Sequence, residues 1–180
     1  MYLPWQTISD VHCAVEVLRD RRFGLIESRS GLLTAIHFRP YPFSGSLAGA
    51  WFDRISKPWR KKEDCCRLYF NAPVNCPGFL TLAYLQSNAG TQLATVQSAL
   101  RTLDFVANVK RSNAIVCDAS NLRLTDRMLA RYGYEKHAPK LKGRHFIKRF
   151  DHPLQFEFLR RPLAEIFPEQ RLPVDQVLNA

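Results

Sequence analysis

The chain has 180 residues, 46% hydrophobic and 23% charged, which suits one soluble domain with some elaboration and excludes a low-complexity or disordered polymer. No apolar run approaches the ~20 residues of a membrane helix, and the start Met1-Tyr-Leu-Pro-Trp-Gln6 lacks the basic segment and small-residue cleavage site of a secretion signal. A cytoplasmic protein without membrane association is therefore expected. The formal net charge of +10 favours polyanionic partners, among them nucleic acid, an anionic surface or a phosphate-rich cofactor. Arg19/Arg21/Arg22, Lys57–Lys62 around Trp59, and Lys136–Arg149 carry much of it. Each cluster taken singly reads better as a solvated basic surface.

In chain order, Thr7–Arg19 reads as a first helix, with Ile8, Val11, Cys13-Ala14-Val15 and Leu18 at helical spacing and Thr7 or Ser9 able to cap it. Phe23–Ser28 and Gly31–Phe38 are apolar stretches separated by Arg29-Ser30-Gly31, the pattern of a β-hairpin. Pro40-Tyr-Pro-Phe-Ser-Gly45 breaks the regularity. A short helix over Leu47–Ile55 and an exposed loop around Pro58 follow. Cys66–Asn71 and Gly78–Gln86 are two strands split by Pro73 and Pro77. The second is almost wholly apolar, as for a strand covered on both faces.

Ser87-Asn-Ala-Gly-Thr91 is a small-residue loop feeding the longest helix, Thr91–Lys110, whose Leu93, Val96, Leu100, Leu103 and Ala107 form one apolar face. Asn113–Cys117 is the next strand. Strand, crossover helix and strand of this length form a βαβ unit with neighbouring parallel strands. Asp118–Asn121 offers side chains to cap a helix over Asn121–Arg131 that stops at Gly133. A basic hairpin then ends in His145-Phe-Ile-Lys-Arg-Phe150. Pro153, Pro162, Pro168 and Pro173 divide residues 151–180 into short pieces. The expected organisation is one domain over 1–150 and a Pro-rich C-terminal arm packed on the domain or on a partner, with a homodimer as one outcome.

The five cysteines (Cys13, Cys65, Cys66, Cys76, Cys117) show no C-x-x-C spacing, so reduced, buried, inert thiols are expected rather than a disulfide framework or zinc site. Cys76 could act as a nucleophile, yet no base is evident for it. His137 and His145 lie on opposite arms of the final hairpin among lysines and arginines that oppose a cation, and no metal is expected. Asp118 stands at the end of a parallel strand, where open α/β sheets gather their sites. More often such an aspartate merely caps the following helix. Glu27 and Glu63 have no evident partner.

The run Asn121-Leu-Arg-Leu-Thr-Asp-Arg-Met-Leu-Ala-Arg-Tyr-Gly-Tyr-Glu135, followed by the hairpin ending at Phe150, resembles the C-terminal half of the GNAT (Gcn5-related N-acetyltransferase) superfamily. The resemblance covers roughly Gly78–Phe150 and, more weakly, Thr7–Phe38. It implies an α/β fold with a central mixed sheet flanked by helices, in which Gly78–Gln86 opens a V-shaped cleft and Thr91–Lys110 binds acyl-CoA. It places the cofactor on Gln86, Ser87, Asn88, Ala89, Gly90 and Thr91, with Asn121 after the following strand, since backbone N–H groups at a helix head suit a pyrophosphate. The family's Q/R-x-x-G-x-G/A pattern is met at Gln86, but Ala89 and Thr91 stand at its two glycine or small-residue positions. Members use a base, often Glu, and a Tyr on the late helix. Gly78–Gln86 and Cys66–Cys76 contain no carboxylate, and the Tyr position falls at Leu129 or Met128. No catalytic residue is assigned. Three readings stand: transfer of an acyl group from acetyl-CoA or another acyl-CoA to an unknown amine; a catalytically inactive GNAT-fold protein that uses its basic surface or arm to bind a partner; or a nucleic-acid binder using Lys57–Lys62 with Trp51, Trp59 and Tyr69, and the Lys140–Arg149 strand as a phosphate track. No helix-turn-helix, zinc finger or RNP-like motif supports the third.

Overall fold

The structure, a computed structural model, describes residues 6–9, 14–39, 63–119, 124–137 and 143–150. Chain order among them is β1 (Gln6–Ile8), α1 (Val15–Asp20), β2 (Phe23–Arg29), β3 (Leu32–Arg39), β4 (Cys65–Asn71), β5 (Phe79–Ser87), α2 (Leu93–Val109), β6 (Ala114–Asp118), α3 (Asp126–Arg131), β7 (Glu135–Lys136) and β8 (His145–Arg149). The strands form one mixed sheet in the order β1-β3-β2-β4-β5-β6-β8-β7. β5 and β6 are parallel neighbours, and every other pairing is antiparallel. The expected α/β class with a mixed sheet holds.

The hairpin β2–β3 turns through Ser30 and Gly31, both at positive φ (48° and 80°), as a two-residue loop matching the strand twist requires. The even residues of β4 (Cys66, Leu68, Phe70) join Ile26, Ile36 and Phe38 in the main core. α2 lies on this face against β2, β3 and β4, with α1 beside it. Val96, Leu100, Leu103 and Ala107 of α2 are buried there, as their spacing predicts. Leu93 is instead 49% exposed.

Three expectations are corrected. Thr7 and Ile8 belong to a strand, because Gln6–Ile8 pairs with Ile36–Phe38 of β3; the helix starts only at Val15. The helix after β6 begins at Asp126 and is capped by Thr125, whose Oγ1 accepts a hydrogen bond from Met128 N–H, not by the Asp118–Asn121 stretch. β5 is not covered on both faces, since Phe79 and Tyr84 are over a third exposed. Its unbroken apolar look has a geometric cause. Tyr69 faces Tyr84 but Phe70 faces Leu82, so Ala83 is an extra residue, and such a bulge reverses which alternate side chains face the core. Leu80 and Leu82 point inward before it and Leu85 after it. The helix expected over Leu47–Ile55, the arm over 151–180 and Asn121 lie outside the described residues.

Candidate ligand-binding cleft

The bulge at Ala83 falls where β5 and β6 part. Parallel pairing of β5 with β6 runs from Phe79↔Ala114 to Leu82↔Cys117 and stops there, while β5 continues to Ser87. At this mouth lies a cleft of about 430 Å³ lined by Leu85, Ser87, Asn88, Ala89, Thr91, Leu93, Val96, Leu124 and Met128. It is large enough for a small organic ligand, whose pockets span ~300–1,000 Å³. Leu85 and Ser87 come from the end of β5, Leu93 and Val96 from the first turns of α2, and Leu124 and Met128 from the start of α3.

Of the residues expected to hold a cofactor, Ser87, Asn88, Ala89 and Thr91 are brought together on the cleft wall. Gln86 pairs with Arg67 across β4–β5, its side chain on the opposite side of the strand from its neighbours Leu85 and Ser87. Gly90 sits in the turn, its N–H bound to Asn88 Oδ1 at 2.9 Å. Met128, one of the two positions where the resemblance places a phenol, lines the cleft, whereas Leu129 is fully buried in the core. Tyr84 packs near Tyr69 with ring centroids 6.1 Å apart, and Tyr134 is buried among core residues.

The N–H groups of Asn88, Gly90 and Thr91 are engaged within the protein. Asn88 N–H donates to Thr91 Oγ1 (2.9 Å) and Thr91 N–H to the Asn88 carbonyl (3.3 Å), while the Thr91 hydroxyl donates to the Cys65 carbonyl (2.7 Å). Gln92 N–H, at the head of α2, donates to Asp64 Oδ1 at 2.9 Å. A carboxylate from the residue before β4 thus stands beside the positive end of the helix. Sequence reading missed this contact: nothing periodic marks an aspartate that caps a helix 28 positions away. The N-x-x-T spacing of Asn88 and Thr91 was the available sign that the loop closes on itself.

Arg144 fixes the opposite wall. Its guanidinium donates to the carbonyls of Ala119 (3.2 Å) and Leu124 (2.6 Å) and to Asp126 Oδ1, tying β6, the cleft residue Leu124 and the first turn of α3 together. In the hairpin, His137 N–H donates to the His145 carbonyl (2.8 Å). Among the described residues no cluster of three or more His, Cys, Asp or Glu side chains is placed to share a metal. Burial pushes the Cys66 and Cys117 thiols up to about 12, so both stay protonated, while Cys76 is exposed.

Among the described lining residues none carries a side chain that titrates near neutrality. The surfaces offered are aliphatic (Leu85, Leu93, Val96, Leu124, Met128) and neutral polar (Ser87, Asn88, Thr91). Such a lining offers apolar and neutral polar contacts to a ligand and, among the described lining residues, no carboxylate, imidazole or phenol for proton transfer. Comparison of the chain with protein-family models, with curated proteins and with solved structures returns no match. Among the described residues no helix is long and apolar enough to cross a membrane.

Proposed function

We propose that the chain is a divergent GNAT-like domain whose cleft receives an acyl thioester of the acyl-CoA type. The observation carrying this reading is the parting of the parallel strands β5 and β6 beyond Leu82 and Cys117, with a ligand-sized cleft between the end of β5 and the head of the crossover helix. The order parallel pair, short helix, Gly133 and final antiparallel strands supports it as well. Acyl transfer to an amine is the activity that the resemblance implies. A thermal-shift titration with acetyl-CoA and free CoA, beside ATP as a polyanion control, tests the reading. A ligand at ~100 times its Kd stabilises by ~2.7 kcal/mol, and each kcal/mol moves the midpoint of a chain this size by ~2–4 °C. Shifts with the CoA species and not with ATP are expected; no shift, or equal shifts with all three, retires it.

The neutral lining favours a second reading of the same fold, a catalytically inactive binding protein whose basic surface meets nucleic acid or another anionic partner. The net charge of +10 supports it. Binding to a nucleic acid would then weaken steeply with added salt through counterion release, and salt-independent binding would count against it.

A further inference from the structure

Resting on the acyl-thioester reading of the cleft, we infer that Asp64 sets its ligand class: the cleft takes an uncharged acyl-pantetheine-type thioester and disfavours one that carries phosphates to the head of α2. Much of the cleft lining is aliphatic, with Leu85, Val96, Leu124, Met128 and the half-exposed Leu93 among it. An alkyl chain and an amide-bearing arm match that surface and the neutral polar edge of Ser87, Asn88 and Thr91. A pyrophosphate does not. Beside the place where helix geometry would welcome it stands the Asp64 carboxylate, whose Oδ1 accepts from Gln92 N–H at 2.9 Å, Gln92 being the residue between the lining residues Thr91 and Leu93. The N–H groups of Asn88, Gly90 and Thr91 are also spoken for by Thr91 Oγ1, Asn88 Oδ1 and the Asn88 carbonyl. A phosphate there would lose those donors and meet a like charge at short range, where repulsion amounts to several kT. Asp64 is held in place independently of any ligand, because its own carbonyl accepts from Ser30 N–H at 3.0 Å in the β2–β3 turn.

The test compares S-butyryl-pantetheine with butyryl-CoA on the full chain, as wild type and as Asp64→Asn, by isothermal calorimetry at fixed ionic strength. Asparagine keeps an oxygen for Gln92 N–H and removes the charge; Asp64→Ala, which removes the charge together with the carboxylate, repeats the measurement should the amide variant fold poorly. Wild type is expected to hold the pantetheine thioester at least about tenfold more tightly than the CoA thioester, the scale of one like-charge contact near a protein surface. The variant is expected to recover most of that tenfold for butyryl-CoA while its affinity for the pantetheine thioester stays the same. A wild-type preference for butyryl-CoA that Asp64→Asn leaves unchanged overturns the inference and leaves the acyl-thioester reading intact. Absence of binding by both ligands to both proteins overturns the two together.

Discussion

Arg67 and Glu27 face each other across the β2–β4 ladder, with Arg67 Nε 3.4 Å from Glu27 Oε2 and side chains only 6% and 7% exposed. Arg29 grips the other carboxylate oxygen through Nε (2.9 Å) and Nη2 (2.7 Å), and His37 Nε2 lies 3.9 Å from Oε2. This polar cluster sits on the side of the sheet away from α2, beside the small apolar group of Leu25, Tyr69 and Ala83. The absence of an evident partner for Glu27 in the sequence is thereby corrected.

Removing one member strands the rest. Glu27→Ala should cost about 3–5 kcal/mol, because breaking a buried pair leaves the other charge uncompensated. Replacing Glu27 and Arg67 together by Leu and Met should restore most of that loss. Urea denaturation of the three variants decides, and a single-variant loss below 1 kcal/mol would mean water reaches the cluster. The acid limb supplies a second readout. Burial opposes ionisation of Glu27, but the Arg29 hydrogen bond and the charges of Arg67, Arg29 and His37 outweigh it and hold the carboxyl below its ordinary value. A carboxylate depressed in the folded state stabilises fully above its unfolded pKa, and that contribution is lost as pH falls through the folded one. The stability gap between wild type and Glu27→Gln should therefore close as pH drops below about 4.

Gly24 stands opposite Phe70 in the same ladder. A Cβ at Gly24 would lie 2.5 Å from Phe70 Cζ and 2.6 Å from Cε1, and the Phe70 ring is fully buried. Gly24→Ala should cost about 1–3 kcal/mol by overpacking. The Gly24→Ala/Phe70→Leu double variant should lose less than the sum of its singles, since the shorter side chain vacates that space. Strict additivity in chemical denaturation would argue that the ring yields without strain.

Local pattern carried much of the architecture and little of the cleft. The steps of three and four in Val96, Leu100, Leu103 and Ala107 announced α2, and its place between two apolar strands announced the parallel β5–β6 pair; both follow from period and length alone. β1 was hidden because three residues become a strand only through pairing with β3, some 30 positions on. The bulge at Ala83 was hidden because Leu80, Leu82 and Leu85 look like continuous apolar sequence when strand parity changes in their midst. The loop from Ser87 to Thr91 was located from its small residues and its place before a helix. Its internal closure by Asn88 and Thr91, and the Asp64 carboxylate at the helix head, are contacts made in space and leave no periodic trace.

The start of α3 is a weak point with a direct link to the cleft. The helix has six residues, and Thr125 Oγ1 accepts from Met128 N–H at 3.2 Å, satisfying one of the donors that a helix leaves open at its head. Thr125→Ala should cost about 1 kcal/mol, with Thr125→Ser restoring nearly all of it. Because Leu124 and Met128 flank the cap and line the cleft, the alanine variant should also weaken binding of an acyl thioester. Denaturation and calorimetry on the two variants separate the effects: full affinity in a destabilised alanine variant would show that the cleft wall is held by Arg144 and core packing instead.

Lys110 gives the alkaline counterpart of the acid limb. It caps the C-terminal end of α1 from a distance, its Nζ donating to the carbonyls of Arg19 (3.1 Å) and Arg21 (2.5 Å). Burial disfavours the ammonium and, with Asp20 favouring and Arg22 opposing the charge, brings Lys110 down to about 8. The unfolded chain holds its proton to about pH 10.4. Between those values the unfolded state binds more protons than the folded one, so stability must rise with pH across the window. Measured against Lys110→Met, wild type should therefore gain on the order of 2 kcal/mol between pH 8 and 10.5, a figure reduced for the partial exposure of the amine. The neutral amine still has N–H groups for both carbonyls, so the contact survives deprotonation and the gain is not offset by its loss. A flat difference across that window would mean that the ammonium keeps its water in the folded state.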